Sequence, residues 1–536
     1  MLVSDFADEA RIFLITLSFA FPLSTQAFAE TEGPLVGGAV TSAVGAENAP
    51  PDLPGFVGCP TRYVAPGAPP PRISALTESP RFEVGKGVIL GCYFQQRWNE
   101  DWSFLRDDPS RFKDFWNPVK FIRLNEDGSV YLTLSGQERY KYNYYTTKSG
   151  LRYVAPFDVD ENDLRSIYGA DLHVGPNFRA FVNLVSAQQG GARYGPAMPT
   201  FRNQLDLLEG FVEPMARVAD GDAGVRIGRQ QVWLGNGLLF ATREQASVPQ
   251  AVDGVRAYFD DGSTRADIFA FYPVTNKFYI FDDSTNRTQF FVGGYGSQLL
   301  ADRTVDGSRE FVNVDPLIVG SGKSNVTFGT YKGYDGRTSV GARLWGTRAA
   351  AGAYDFDWTG VYQAGHLGNA AISAFGIFTS TGYTFDYPMQ PRIGVRFDAA
   401  SGGQGGGTVR NYYPMLFAAM HFGENPFIAP INLYDAGINF QFNPWPTIRI
   451  IAYDLVYWRY DVNDAIYQPS GIAYAKSAGV SGRYIGQQPA LKGAWAITDH
   501  FNIAVQSAVF IPGTAAKNYA TKGNEYYVAF ALNYRF

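Results

Sequence analysis

In "IYGADLHV", alternation sets Tyr168, Ala170, Leu172 and Val174 on an apolar face and Asp171 and His173 on the opposite, polar one. The next stretch, "FRAFVNLV", puts Arg179 and Asn183 on that polar face. Elsewhere the same parity selects Arg139, Lys141, Arg165, Arg226, Arg256, Arg265, Arg343, Arg392, Arg396, Arg449 and Lys492, against Asp267, Asp355, Asp357 and Asp398. Basic groups lead acidic ones there by roughly two to one, although the whole chain carries a net charge of -5. A planar guanidinium donates two parallel hydrogen bonds to a carboxylate and stays charged at any relevant pH. Repeated weak sites of that kind let a polyanion slide. Arg229, Arg243, Asp253 and Arg256 share one segment, with Arg243 in a connection able to fold inward. An Arg and Asp network bracing a loop reads them equally well, and Asp253 before Gly254 also fits turn chemistry. The substrate-binding candidates are Arg139, Arg165, Arg179, Arg226, Arg229, Arg243, Arg256, Arg343, Arg392, Arg396, Arg449 and Lys492.

Nucleophilic and metal chemistry find little footing. The histidines are His173, His366, His421 and His500; none sits in a recognisable Ser or Asp arrangement, and Asp499 with His500 reads as a tight turn. With two cysteines, Cys59 and Cys92, no ligand spacing emerges. No catalytic site, metal or cofactor is expected.

The elements that position these charges are strands. Aromatic residues make up 15% of the chain, beside 58 Gly, while a mean hydropathy of -0.14 leaves the strands only half apolar. Each strand therefore needs two environments, one per face. From Gly128 onward, alternating segments of roughly ten residues are separated by Gly, Asp, Asn and Pro clusters, the signature of transmembrane β-strands. They give an all-β fold: a transmembrane antiparallel barrel of about 18 strands. Lipid forces every barrel charge inward whatever the function, which explains the facing but not the sign. Closing "EYYVAFALNYRF" against the first strand removes the sheet edge, and its terminal Phe536 resembles the signal read by the outer-membrane assembly machinery. Long connections after the third, seventh, thirteenth and fifteenth strands (around 188–204, 274–288, 401–430 and 460–484) belong outside the cell. "AASGGQGGGTVRNYYP" reads there as a mobile lid, or as an ordinary surface loop. Residues 300–323 look inserted, too long for a short turn; another strand hidden there would shift the register.

Ahead of the barrel, "IFLITLSFAFPL" followed by "STQAFA" reads as a signal peptide, residues 1–29, cleaved after Ala29. Residues 30–99 form a Pro, Gly and Ala rich leader, extended or disordered, in which Cys59 and Cys92 are either a disulfide or two free thiols. Residues 100–127 make a periplasmic segment leading into the barrel at 128–536. The expected location is the outer membrane of a Gram-negative bacterium, as a monomer among its lipids, with no nucleic-acid partner.

Several stretches resemble the alginate export family: "EDWSFLRDDPSRFKDFWNPVKFIRL", "GADLHVGPNFRAFVNL", "RIGRQQVWLGNGLLFATREQASVPQAVDGVRAYF", "GARLWGTRAAAGAYDFDWTGVYQAGHLGN" and "PRIGVRFDAASGG". Barrel physics does not demand their "GRQ", "TRE", "DGVR" and "ASG" elements. The resemblance spans about residues 100–536 and implies an eighteen-stranded barrel exporting an anionic polysaccharide, served by periplasmic export proteins. The leader and residues 300–323 depart from the family pattern. The other function in play is passive uptake of small organic acids or sugars.

Overall fold

The computed structural model describes residues 93, 96–100, 102–107, 114–146, 158–191, 198–305, 308–350, 352–424, 427–445, 447–519 and 523–536. The expected signal peptide, Cys59, Cys92 and nearly all of the expected leader lie outside the described residues. Eighteen long strands follow in chain order. They are β1 Val130–Tyr145, β2 Val159–Val174, β3 Phe178–Gly190, β4 Asn203–Val218, β5 Gly221–Gln230, β6 Val252–Asp260, β7 Thr264–Thr275, β8 Gln289–Val305 and β9 Ser308–Phe328. The rest are β10 Tyr331–Ala350, β11 Gly352–Leu367, β12 Ala370–Phe385, β13 Arg392–Ala400, β14 Leu433–Trp445, β15 Ile448–Arg459, β16 Tyr484–Ala496, β17 Phe501–Pro512 and β18 Glu525–Arg535. Each pairs antiparallel with its successor. The cylinder closes where β18 meets β1, from Gln137 opposite Arg535 to Tyr145 opposite Tyr527.

Parity behaves as a barrel in lipid requires. On β7, Ile268 is 70% exposed while its neighbours Asp267 and Phe269 are each 2% exposed. Tyr168, Val340, Tyr362, Val395 and Val528 are likewise exposed outward. The long connections all follow odd-numbered strands, and every even-numbered strand is followed by a short turn. Short turns face the periplasm in such barrels, so the long connections are extracellular. Residues 300–323 are not an insertion between strands: they are the end of β8 and most of β9, which pair from Gln289 opposite Lys323 to Val305 opposite Ser308. A β-bulge between Lys323 and Val326 shifts the register there.

Three strands are short. β13 has 9 residues, and β5 and β6 have 10 and 9, because the chain leaves the wall at Gln230 and returns at Val252. The edge of β4 thus bared is covered by the connection after β7, where Ile280 bridges Leu205 and Phe281 N–H donates to the Leu205 carbonyl at 2.9 Å. Tyr279, Ile280 and Phe281 are left exposed.

Below the barrel the pre-barrel segment is packed, not loose. Tyr93 and Gln96–Asn99, which the sequence assigns to an extended or disordered leader, are buried, because their aromatic and polar groups find partners on the barrel. The short helix α1, Asn117–Lys120, follows Trp116, whose ring stacks on Phe536 at 3.8 Å. Gly136 admits that Phe536 ring where a Cβ would collide with it. Lys120 is fully buried, 3.4 Å from Glu100, with its ammonium over the rings of Tyr93 and Trp102. His500, in the turn before β17, holds Asp114 at 2.6 Å and stacks on Tyr93.

Leu532 lies on the outer face opposite Tyr140, and Asn533 faces inward opposite Arg139. Leu532→Arg puts a cation toward lipid at about 2–4 kcal/mol and blocks assembly, read as lost heat-modifiable mobility on gels. Asn533→Asp, one residue on among arginines, assembles normally; equal behaviour of the two refutes the register.

The His500–Asp114 contact makes docking of the pre-barrel segment pH-dependent. Burial works against the charged form of each, but their hydrogen bond, with the Arg535 carbonyl and the Trp116 amide, leaves His500 raised above 6.5 and Asp114 lowered below 3.8. The His500 contribution is therefore complete below pH 6.5 and lost as pH rises through its raised value; that of Asp114 is present above 3.8 and lost as pH falls through its lowered one. Amide exchange around Trp116, corrected for intrinsic rate, should quicken on the alkaline side, and His500→Asn should abolish that dependence.

Candidate functional site

A barrel of eighteen strands is wider than its wall side chains can fill. Here three extracellular connections fold into it. The first, residues 231–251, carries Leu238, Leu239 and Phe240 onto the inner faces of Phe269, Phe291 and Leu317. The second, residues 401–432, runs alongside: Leu416 N–H donates to Leu239 at 2.9 Å, Ala241 N–H to Leu416 at 2.7 Å, and Ala418 N–H to Gly237 at 2.9 Å. The third, residues 460–483, ties to the second through Asn411 Nδ2 to Asp464 at 2.6 Å and Tyr474 OH to the Phe427 carbonyl at 2.6 Å. The expected mobile lid is held within this assembly. Gln404–Gly405 pairs with Thr408–Val409, which pairs in turn with Ala371 and Ile372 of β12, because the glycines allow a tight hairpin.

The arginines selected from sequence face inward, but carboxylates already hold most of them. Arg179 and Arg226 share Glu213, at 3.4 and 2.9 Å. Arg229 grips Asp253 with two nitrogens, at 2.8 and 3.2 Å, so Asp253 is a strand partner and not a turn. Arg256 meets Asp267 at 2.8 Å, Arg343 lies between Asp315 and Asp357, Arg392 binds Asp355 at 2.7 Å, and Arg396 bridges Asp398 and Asp435. Lys492 reaches Glu424 at 2.7 Å, and Arg449 is buried in β15. Arg165 pairs with Glu244 of the first loop at 2.9 Å, while Arg139 donates to the carbonyls of Glu244 and Ala246.

The two-to-one excess of inward bases is therefore not what the wall holds. Buried Glu209, Glu213, Asp315, Asp335 and Asp435 escape the parity count. Register shifts in the pairing of β3 with β4 alter the facing near Glu209, and Asp315 lies in the stretch read as inserted.

Arg243 differs. Its φ of 54° is left-handed, an uncommon conformation for a residue with a side chain. Its Nη2 donates to Asn276 at 3.2 Å, its Nε is buried without a partner, and no carboxylate pairs with it among the described residues. Burial lowers its pKa to about 10, so it stays charged at neutral pH. It lines a cavity of about 230 Å³ together with Gln250, Gln289, Lys323, Tyr413 and Phe417. Lys323 donates to the Tyr413 hydroxyl. Two cations and no Asp or Glu line this space, where the three loops converge. Sequence reasoning missed Lys323; counting inward positions from Asp315 along β9 would have found it.

Three histidines rest on carboxylates: His173 on Asp171, two residues away on the same face, and His421 on Asp398 and His500 on Asp114, which linear spacing does not reveal. Asp206, Asp282 and Asp283 also approach one another. Backbone amides occupy their oxygens, Asp283 N–H on Asp206 at 2.9 Å and Tyr279 N–H on Asp282 at 3.2 Å, so they brace the covering loop.

Fold and lumen together define an outer-membrane channel of a Gram-negative bacterium. Residues 130–530 match the alginate export family, and the chain belongs to it. The family is one of transport channels, and the substrate class is anionic. No curated protein matches the chain. Among solved structures, it is similar to the outer membrane protein OpdK of Pseudomonas aeruginosa, with a TM-score of 0.50 at 9% identity over 75% of this chain and 98% of that one. OprD of the same organism follows at 0.48 and 11% identity, covering 75% and 94%.

Glu244→Gln leaves the buried Arg165 without its counter-charge, a loss of about 3–5 kcal/mol for a broken buried pair. The first loop should become cleavable by protease in the folded barrel, whereas an unchanged digestion pattern contradicts its anchoring role.

Proposed function

We propose that this channel exports an alginate-like anionic polysaccharide, and that Arg243 and Lys323 hold its carboxylates in turn as the chain passes. The observation that carries this reading is the cavity lined by two cations and no carboxylate, at the meeting point of the inward loops. The paired wall arginines contribute differently. Each offers its fork to a passing carboxylate in exchange for a resident Asp or Glu, so binding along the wall is weak and repeated. Many weak contacts along one polymer combine, which a single acid cannot achieve. Periplasmic export proteins deliver the chain.

Uptake of small organic acids or sugars is the second reading. The cavity of about 230 Å³ favours it, because a space below the roughly 300–1,000 Å³ usual for drug-sized ligands fits a small acid.

In planar bilayers the unmodified protein should prefer anions, and Arg243→Glu with Lys323→Glu should remove or invert that preference. A polyuronate should interrupt single-channel current at low concentration, and the double variant should weaken block by about tenfold or more, the worth of one lost charge-assisted contact. Cation preference in the unmodified protein refutes the anionic reading; equal block by monomer and polymer, or strongest block by a neutral sugar, replaces export with uptake.

A further inference from the structure

The cavity lies among extracellular loops, and the pre-barrel chain also enters the lumen from the opposite end. Trp98 belongs to a single helical turn, Arg97–Asn99, and is 5% exposed. Its ring does not pack on the outside of the barrel. It sits on inward-facing side chains, with the Arg226 guanidinium 3.7 Å from the ring centroid, Phe211 edge-on at 6.5 Å, and Phe181 in the same cluster. These residues lie on β3, β4 and β5, and Phe181 is close to the periplasmic start of its strand.

Arg97 ties the same turn to β1, on the same side of the wall. Its Nη2 donates to the Gly136 carbonyl of β1 at 3.4 Å, and its charge feels Arg165 and Glu244, the wall and loop residues that anchor the extracellular constriction. Glu100, 3.9 Å from Arg97, accepts from Trp102 Nε1 at 3.0 Å and pairs with Lys120, which joins the turn to the stacked Trp116 and Phe536 below. The plug is thus hinged outside the lumen and tipped by one aromatic ring inside it.

We propose that the pre-barrel segment is an autoinhibitory plug, with Trp98 on Arg226 as its latch, withdrawn when anionic cargo enters from the periplasm. Arg226 has two uses that compete. Its face carries the indole, and one nitrogen holds Glu213 at 2.9 Å. A carboxylate arriving in the lumen draws the guanidinium edge-on and takes its charge, which weakens the cation–π contact. Cargo therefore opens the gate that its absence keeps shut. This rests on the anionic-cargo reading only for the trigger; the latch itself stands on geometry.

The test is single-channel recording of the full chain in planar bilayers without cargo. Trp98→Ala should raise open probability by about tenfold, the factor supplied by about 1.4 kcal/mol of lost contact. Trp98→Phe should restore much of the closed time, and Phe115→Ala, on the exposed side of the same segment, should change nothing. Arg226→Ala removes the latch's seat without touching the plug, and opens the channel should Trp98→Ala fail to assemble. If an assembled Trp98→Ala or Arg226→Ala variant gates as the unmodified protein does, the plug is overturned. Opening by these variants without any response to polyuronate leaves the latch standing and refutes the cargo trigger alone.

Discussion

No backbone N–H or C=O can face lipid unpaired, so the sheet must close on itself, and β18 must meet β1. Most other features follow from that closure. Its eighteen strands enclose more space than wall side chains fill, and apolar outer faces push every charge into that space. The chain answers with its own connections: loops from the extracellular end, and Trp98 with its neighbours from the periplasmic end. Phe269 and Phe271, inward on β7, would be misplaced in a water-filled pore; they are in place because Phe240 packs on them.

A charge forced inward and then covered by loops must also be paired, since an isolated buried ion costs several kcal/mol. That requirement accounts for Arg256 with Asp267, Arg392 with Asp355 and Arg343 between two aspartates without any appeal to cargo. The informative cations are those the requirement fails to explain. Among the described residues, Arg243 holds a strained backbone and pairs with no carboxylate, and Lys323 meets a tyrosine hydroxyl and its ring and no carboxylate. Neither is needed by the barrel, which is why the cavity they share carries the functional argument.

Much of this was legible in sequence because the period of two is a local signal. Parity along "IYGADLHV" and the last strand needs no partner to be read, and the connections after β3, β7, β13 and β15 stand out by length. What failed was non-local. The register shifts in the β3–β4 pairing change facing by one residue, so Glu209 could not be assigned from its own segment, and Lys323 escapes because residues 300–323 read as an insertion rather than a strand. Whether an inward arginine is free or paired depends on a residue one or two strands away, as with Arg392 and Asp355, and no spacing encodes it. Glycine content likewise predicted a loose lid where the partner strand β12 makes a hairpin.

The extracellular loop and the pre-barrel turn are not independent. Arg165 binds Glu244 of the loop, and both bear electrostatically on Arg97 of the turn. Moving either element changes the field felt by the other. Like charges on Arg97 and Arg165 repel, while Glu244 attracts Arg97, Arg165, Arg139 and Arg535, so one buried carboxylate balances cations of the wall and of the turn. Loop and pre-barrel turn are thus held to the same wall by one balance of charge, the pairing that burial inside a closed barrel demands.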